Sequence, residues 1–370
     1  MKFSSTFAKV SASLGILLVA GSSTFAQVSG LAERNTSKRS GDDNECAIAI
    51  NPANKDQLFI CSNTSTAGLF AARSIDGGLT WTYPDPSDKT IADGDAGQGA
   101  SACCDPTLAW DSFGNLYVTY INSSVNQIVT LISTDAGLTF TTLASFGPAN
   151  VDQPTVVAAN TTAPGVPVAV WVTWNQGGSM VARGAAVTGP NTVGAFGALQ
   201  TIPGTSGFSF GDFAIAPSGV VVQTSQRSGS GQGPDIIIVN TDSDGLGAGN
   251  FGNPVTATTT NVGGFDFIPA QNSRSIDSEA GLAYDRNPSS PHFGRLYLVY
   301  TDEVVNENND TDIRLRFSDN NGATWSGTPI RVNDDPAGKS QFLPKIATNP
   351  ISGNVAVCWL DCRNSPANNS

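Results

Sequence analysis

Ser74-Ile75-Asp76-Gly77-Gly78-Leu79-Thr80-Trp81 decides the reading of this chain, because it comes back twice. Ser133-Thr134-Asp135-Ala136-Gly137-Leu138-Thr139-Phe140 and Ser318-Asp319-Asn320-Asn321-Gly322-Ala323-Thr324-Trp325 carry the same S-x-(D/N)-x-G-x-T-(W/F) pattern. A pattern this specific marks a repeat protein. The octet has the chemistry of a hairpin turn. Asp or Asn bonds nearby backbone N–H groups, and Gly supplies positive φ. Thr and the aromatic residue then lead into the next strand, where the ring can be buried.

A second period runs ahead of each octet: an acidic residue, a short apolar strand, a turn, and a second strand. Its copies start at Glu45, Asp105, Asp152, Asp212, Glu279 and near Phe342, about 47 to 67 residues apart. That spacing predicts one four-stranded blade per repeat, hence an all-β, six-bladed β-propeller. The octets fall between the third and fourth strands of repeats one, two and five. Repeat four has a degenerate version, Thr241-Asp242-Ser243-Asp244-Gly245-Leu246-Gly247. Uncharged runs such as Ile236–Val239 and Leu296–Tyr300 are rich in β-branched and aromatic residues and read as buried strands. The sixth repeat has two strands before the chain stops, so its blade is expected to be incomplete.

The chain has 370 residues, 14% of them charged, with 39 Gly and 21 Pro, which suits many turns. Residues 1–26 read as a secretory signal. Lys2 and Lys9 give the basic region, Leu14 to Ala20 the apolar core, and Thr24-Phe25-Ala26 the cleavage site. The expectation is export, to the medium, the periplasm or the cell surface. Residues 27–44 are an N-terminal segment able to give one outer strand, and 45–370 the propeller. Losing Lys2 and Lys9 takes the formal charge from −12 to −14. Such a surface argues against nucleic acid and anionic membranes as partners, and no later segment reads as a membrane span.

Six cysteines in an exported chain permit disulfides. Cys46 and Cys61 lie symmetrically about the turn Pro52-Ala53-Asn54-Lys55, so a bridge between them is expected. Neither Cys103-Cys104 nor Cys358/Cys362 has a derivable partner. The absence of a C-x2-C pair and the single His292 argue against zinc.

In a propeller, the loop into the innermost strand and the loop out of the second strand share one face. That rule gathers Glu45, Asp105, Asp152, Asp212 and Glu279 with Asn63, Asn122, Asn175, Arg227, Asp302, Glu303, Asp361 and Arg363. Carboxylates so placed can act as acids, bases or cation ligands, or can simply fix the turn before each strand. No organic cofactor is expected. Oxygen ligands at Asp242 and Asp244, and at Asp310 and Asp312, make weak calcium candidates, without the closing Glu of a full loop.

The octets resemble the Asp-boxes, or BNR repeats, of the sialidase superfamily, over residues 42 to 364 or so. The resemblance implies a six-bladed propeller and an exo-alpha-sialidase-like glycosidase with a carbohydrate or surface glycoprotein ligand. The residues it marks, Ser74, Asp76, Gly78, Trp81, Ser133, Asp135, Gly137, Phe140, Ser318, Asn320, Gly322 and Trp325, are structural. Family sialidases use a Tyr nucleophile paired with Glu, an Asp acid/base, and three Arg on the substrate carboxylate. The family's F/Y-R-I-P motif meets Glu45-Cys46-Ala47-Ile48 here, without Arg. The Asp expected after the second strand meets Asn63-Thr64-Ser65-Thr66. The catalytic set therefore does not carry over. Substitutes would come from Arg227, Arg274, Arg363, Glu279, Tyr300, Glu303 and Asp361. Three readings remain open: a glycoside hydrolase on terminal sialic acid or a related sugar, a non-catalytic propeller binding glycan or protein at the cell surface, and a purely structural module of a longer secreted protein.

Overall fold

In the computed structural model, residues 35–95, 98–336 and 338–369 are described, together with the strands Leu14–Leu18 and Thr24–Gln27. The strands form six sheets. The first holds Asn44–Ile50, Leu58–Asn63, Leu69–Ser74 and Thr90–Ile91 in chain order. The second holds Ala102–Trp110, Leu116–Asn122, Ile128–Ser133 and Thr141–Phe146. The third holds Val151–Asn160, Val168–Gln176, Ser179–Gly189 and Thr192–Val193, with Gln200–Thr201 also on its third strand. The fourth holds Phe208–Ile215, Val221–Arg227, Asp235–Asp242 and Val255–Thr260, and the fifth Gly281–Tyr284, Leu296–Glu303, Thr311–Ser318 and Ile330–Arg331. Short turns join antiparallel neighbours, which is why each sheet follows chain order.

The sixth sheet differs from expectation. Gln341–Thr348 and Val355–Asp361 are joined by Leu14–Leu18 and then Thr24–Gln27, so the sheet has four strands. The strand that completes it comes from the segment read as a secretory signal, and residues 35–43 form no strand. The edge of Val355–Asp361 presents unpaired backbone groups, and an apolar extended segment satisfies them. Lys2, Lys9 and Ala20 lie outside the described residues.

The chain forms two compact units. One holds residues 32–223 and 240–253, the other 1–31, 224–239 and 254–370. In the first, the cores lie between successive sheets. Phe59, Leu69, Trp110, Leu116 and Phe140 fill one layer. Tyr117, Ile121, Phe146, Val170 and Trp174 fill the next, and Trp171, Phe213 and Phe251 a third. The second strands, Leu116–Asn122 and Val168–Gln176, are buried on both faces, which explains their near-continuous apolar character. Each such side chain contributes about 1.5–3 kcal/mol when fully buried. In the other unit, Tyr297, Val299, Leu315, Val357 and Trp359 form the corresponding layer.

The octets occupy the predicted place, after the third strand. The Ser74 hydroxyl donates to Asp76 Oδ1 at 2.8 Å and accepts the Gly78 N–H at 2.9 Å. Asp76 in turn accepts the Thr80 N–H at 2.9 Å and the Thr80 hydroxyl at 2.5 Å. Ser133 and Asp135 repeat this set. In the third copy Asn320 reverses one bond: its Nδ2 donates to Thr324 Oγ1 at 2.8 Å. The fourth and fifth octet positions are left-handed in every copy, at Gly77–Gly78, Ala136–Gly137 and Asn321–Gly322. Phe140 is buried, whereas Trp81 and Trp325 are half-buried.

Candidate functional site

A left-handed residue lies in the first strand of each sheet or, in the fifth, two residues ahead of it. In the first unit Glu45, Asp105, Gln153 and Phe210 have φ of 53, 57, 48 and 57°. In the second unit Glu279 and Leu343 have φ of 43 and 54°. A side chain held left-handed costs on the order of 1–2 kcal/mol. Register shifts mark the same places as bulges, between Asn44 and Ala47, Cys104 and Thr107, and Asp152 and Thr155. Bulges re-aim side chains and concentrate near functional sites.

In the first unit three of these four N–H groups are capped by a neighbouring sheet. The Asp105 N–H donates to Asn63 Oδ1 at 3.0 Å, the Gln153 N–H to Asp105 Oδ2 at 3.3 Å, and the Phe210 N–H to Gln153 Oε1 at 3.0 Å. This relay brings three acids together. Asp105 is hydrogen-bonded to Glu45 and to Asp152, and Asn63 Nδ2 donates to Glu45 Oε2. Burial, the hydrogen bond to Glu45, and the charges of Glu45 and Asp152 push the Asp105 carboxyl up to about 8. Burial raises Asp152 as well. Both shifts favour the protonated carboxyl, most strongly at Asp105.

The sequence groups Asp152 and Asp212 with Glu45 and Asp105 as equivalent acids. The structure separates them: Asp152 precedes the left-handed residue of its strand, and Asp212 follows Phe210 and accepts the Phe213 N–H at 2.7 Å. Asn175 Nδ2 donates to Phe208 O at 2.9 Å and to Ser209 Oγ at 3.0 Å, while Asn122 Oδ1 closes its own turn on Asn126 and Gln127.

The substitute catalytic residues lie in the other unit, and most serve the fold. Tyr300 is fully buried, its hydroxyl 3.2 Å from Thr258 Oγ1, and Glu303 is 1% exposed and accepts the Glu307 and Asn309 N–H groups. Both side chains are engaged inside the fold. Arg227 pairs with Asp235 at 3.1 Å. Arg363 pairs with Asp361 at 2.6 Å and with Asp334 at 2.8 Å, so Asp361 is a partner of arginine and not a free acid. Glu279 pairs with Lys345, and Arg274 is exposed. Burial and the charge of Glu279 push Asp277 up to about 8.

The calcium candidates are engaged in the protein. Asp312 meets Arg314 at 2.8 Å, Arg331 at 2.7 Å and Asn333 at 2.8 Å. Asp310 accepts the Gly338 N–H. Asp242 accepts the Asp244 and Gly245 N–H groups, and Asp244 accepts the Gly249 N–H. Among the described residues, carboxylate oxygens of Asp85, Asp88 and Asp95 lie within 4.8 Å of one another, a cluster the sequence reading passed over.

The Cys46–Cys61 bridge is not formed; both are free thiols. The bulge at Glu45 puts Ala47, not Cys46, opposite Cys61, and Cys46 is exposed while Cys61 is buried. The disulfide joins Cys103 to Cys104, immediately before Asp105.

No family model matches this chain, and no curated protein matches it by sequence. Solved structures do. The Hadza microbial sialidase Hz136 aligns at TM-score 0.50 and 13% identity, over 85% of this chain and 65% of the sialidase, so the chain spans about two thirds of that protein. The Penicillium chrysogenum alpha-L-arabinanase aligns at 0.48 and 12% identity, over 86% and 93% of the two chains. The Fusarium graminearum alpha-L-arabinofuranosidase Arb93A aligns at 0.48 and 11%, over 97% and 99%. The likeness to the sialidase shows the fold: this chain is an all-β propeller of the sialidase type, built from four-stranded blades.

Proposed function

We propose that this chain is an exported, carbohydrate-active propeller that hydrolyses a terminal glycosidic bond, with Asp105 as the proton donor. The observation that carries the reading is the Asp105 carboxyl, hydrogen-bonded to Glu45 and protonated up to about pH 8. A carboxylic acid kept neutral at physiological pH is what protonation of a leaving-group oxygen needs. Glu45 and Asp105 share a hydrogen bond, whereas retaining and inverting pairs hold their carboxyls roughly 5–5.5 or 6.5–9.5 Å apart. They therefore act as one proton-holding group, with Asp152 the further carboxylate beside it.

A neutral sugar suits these residues better than sialic acid. Arg39 is spent on Asp88 O and Thr66 Oγ1, Arg73 on Ala136 O, and Arg183 lies over the Phe146 ring. None of these three, the described arginines of that unit, bonds to the acid cluster, which favours a substrate without a carboxylate. No helix among the described residues is long and apolar enough to cross a membrane.

The test is turnover of a panel of fluorogenic glycosides, neutral and sialic, by the full chain and by Asp105→Asn. We expect cleavage of a neutral glycoside and a loss of about 100-fold or more in kcat for the variant. Turnover untouched by Asp105→Asn overturns the assignment. A second reading, a glycan-binding propeller without catalysis, is favoured by one observation: Asp105 Oδ2 already caps the Gln153 N–H. Saturable oligosaccharide binding with no cleavage anywhere in the panel selects it.

A further inference from the structure

Neighbouring residues of an extended strand point to opposite faces, so two adjacent cysteines can be joined only where the strand leaves its pleat. Ala102–Trp110 does so. Ala102 faces Asn122 and Cys104 faces Ile121, which leaves Cys103 without a partner; a second irregularity follows between Cys104 and Thr107. The corresponding strands Asn44–Ile50 and Val151–Asn160 show a single irregularity each. The additional bulge of the second sheet is therefore the site of the Cys103–Cys104 disulfide, and the next residue is Asp105. Cys104 packs against the core layer of Tyr117, Ile121 and Val151, and Cys103 is exposed. One end of the ring is anchored in the core and the other meets solvent.

We propose that the Cys103–Cys104 disulfide is the positioning element of the acid cluster, holding the backbone of Asp105 so that its carboxyl meets Glu45 of the first sheet and Asp152 of the third. Asp105 has other anchors, the Asn63 carboxamide on its N–H and the Gln153 N–H on its Oδ2. These fix its ends, whereas the ring fixes the chain leading into it. The groups facing the Asp105 carboxyl are Glu45, Asp152 and the Gln153 N–H. Moving Asp105 away from them changes the cost of ionising it.

This rests on the acid cluster named above, and its test reads no turnover. The full chain, with 13C-labelled aspartate carboxyls, is titrated by NMR before and after treatment with a trialkylphosphine; Asp105→Asn identifies the resonance. Reduction breaks the S–S bond and adds two electrons and two protons to give two thiols, while the phosphine becomes its oxide with oxygen from water. Cys46, Cys61, Cys358 and Cys362 lie outside the disulfide, so the phosphine has one bond to act on. We expect the Asp105 midpoint to fall by roughly one pH unit or more on reduction and to return on reoxidation, with far-UV circular dichroism unchanged. The double variant Cys103→Ser/Cys104→Ser is expected to match the reduced protein. A midpoint that stays put in reduced, folded protein overturns the proposal. A midpoint that moves while no glycoside is cleaved upholds the positioning and removes the hydrolase reading alone.

Discussion

The carboxamide oxygen of Asn63 accepts the backbone N–H of Asp105 at 3.0 Å, and the same side chain donates through Nδ2 to Glu45. One amide thus serves the left-handed residues of two sheets. Asn63→Ala removes both bonds and is expected to cost about 1–2 kcal/mol at any pH. Asn63→Asp keeps an acceptor for the Asp105 N–H, loses the donor to Glu45, and adds a negative charge to a site already rich in carboxylates. Its loss should be larger at pH 8 than at pH 5. Urea unfolding at the two pH values checks this; an equal loss for Asn63→Asp at both would show that the added charge does not reach the cluster.

Asp105 makes stability depend on pH in a stated direction. Folded, its carboxyl keeps its proton up to about 8; unfolded, it releases it near the ordinary 3.9 or so. Between those values the folded state holds more protons, so stability falls as pH rises through the window. Asp105→Asn cannot ionise, and its amide can still offer an oxygen to Gln153 and an N–H to Glu45. Its stability curve should therefore be flatter, gaining on the parent by on the order of 1–3 kcal/mol between pH 4.5 and 8.5, since the side chain is only half-buried. Parallel curves would place the proton elsewhere.

The repeat made the architecture legible. The octets mark the turns after third strands, and the uncharged runs mark buried middle strands, the third of the fourth sheet and the second of the fifth. The site was legible only in part. The sequence places acids at the start of the inner strands, yet a bulge leaves no compositional trace and shifts every later side chain by one. That shift is why Cys61 faces Ala47 and why the cysteines of Cys103-Cys104 find each other. The burial of Tyr300 and Glu303 was hidden for another reason. In a strand buried on both faces, period-two patterning does not tell a tyrosine aimed at a cleft from one aimed at a core.

Two equivalent octet glycines should respond differently to the same change. Gly78 and Gly137 have φ of 86 and 79°, so alanine is strained at both, by about 1–2 kcal/mol. A Cβ on Gly78 meets Trp81 at 3.7 Å, an ordinary contact, whereas on Gly137 it would lie 2.4 Å from the Phe59 ring. Phe59 is fully buried and packs edge-on to Phe140 at 5.5 Å, so it has nowhere to go. Gly137→Ala should lose about 1–3 kcal/mol more than Gly78→Ala. Equal losses in denaturant titrations would mean that the Phe59 layer yields.

The four thiols outside the disulfide differ enough in surroundings to be ordered by rate. Cys46 is exposed, Cys358 half-buried, and Cys61 and Cys362 buried. Burial also pushes the Cys61 thiol far above its ordinary range, and raises Cys46 and Cys358, leaving little reactive thiolate at pH 7. Iodoacetamide should therefore label Cys46 first, Cys358 more slowly, and Cys61 and Cys362 only as the fold opens. Peptide mapping without reductant should show the segment holding Cys103 and Cys104 lighter by two hydrogens and unlabelled. A bridge between Cys46 and Cys61 would leave both unlabelled in denaturant and would refute the bulge at Glu45, because only an unbroken register puts those two residues opposite each other.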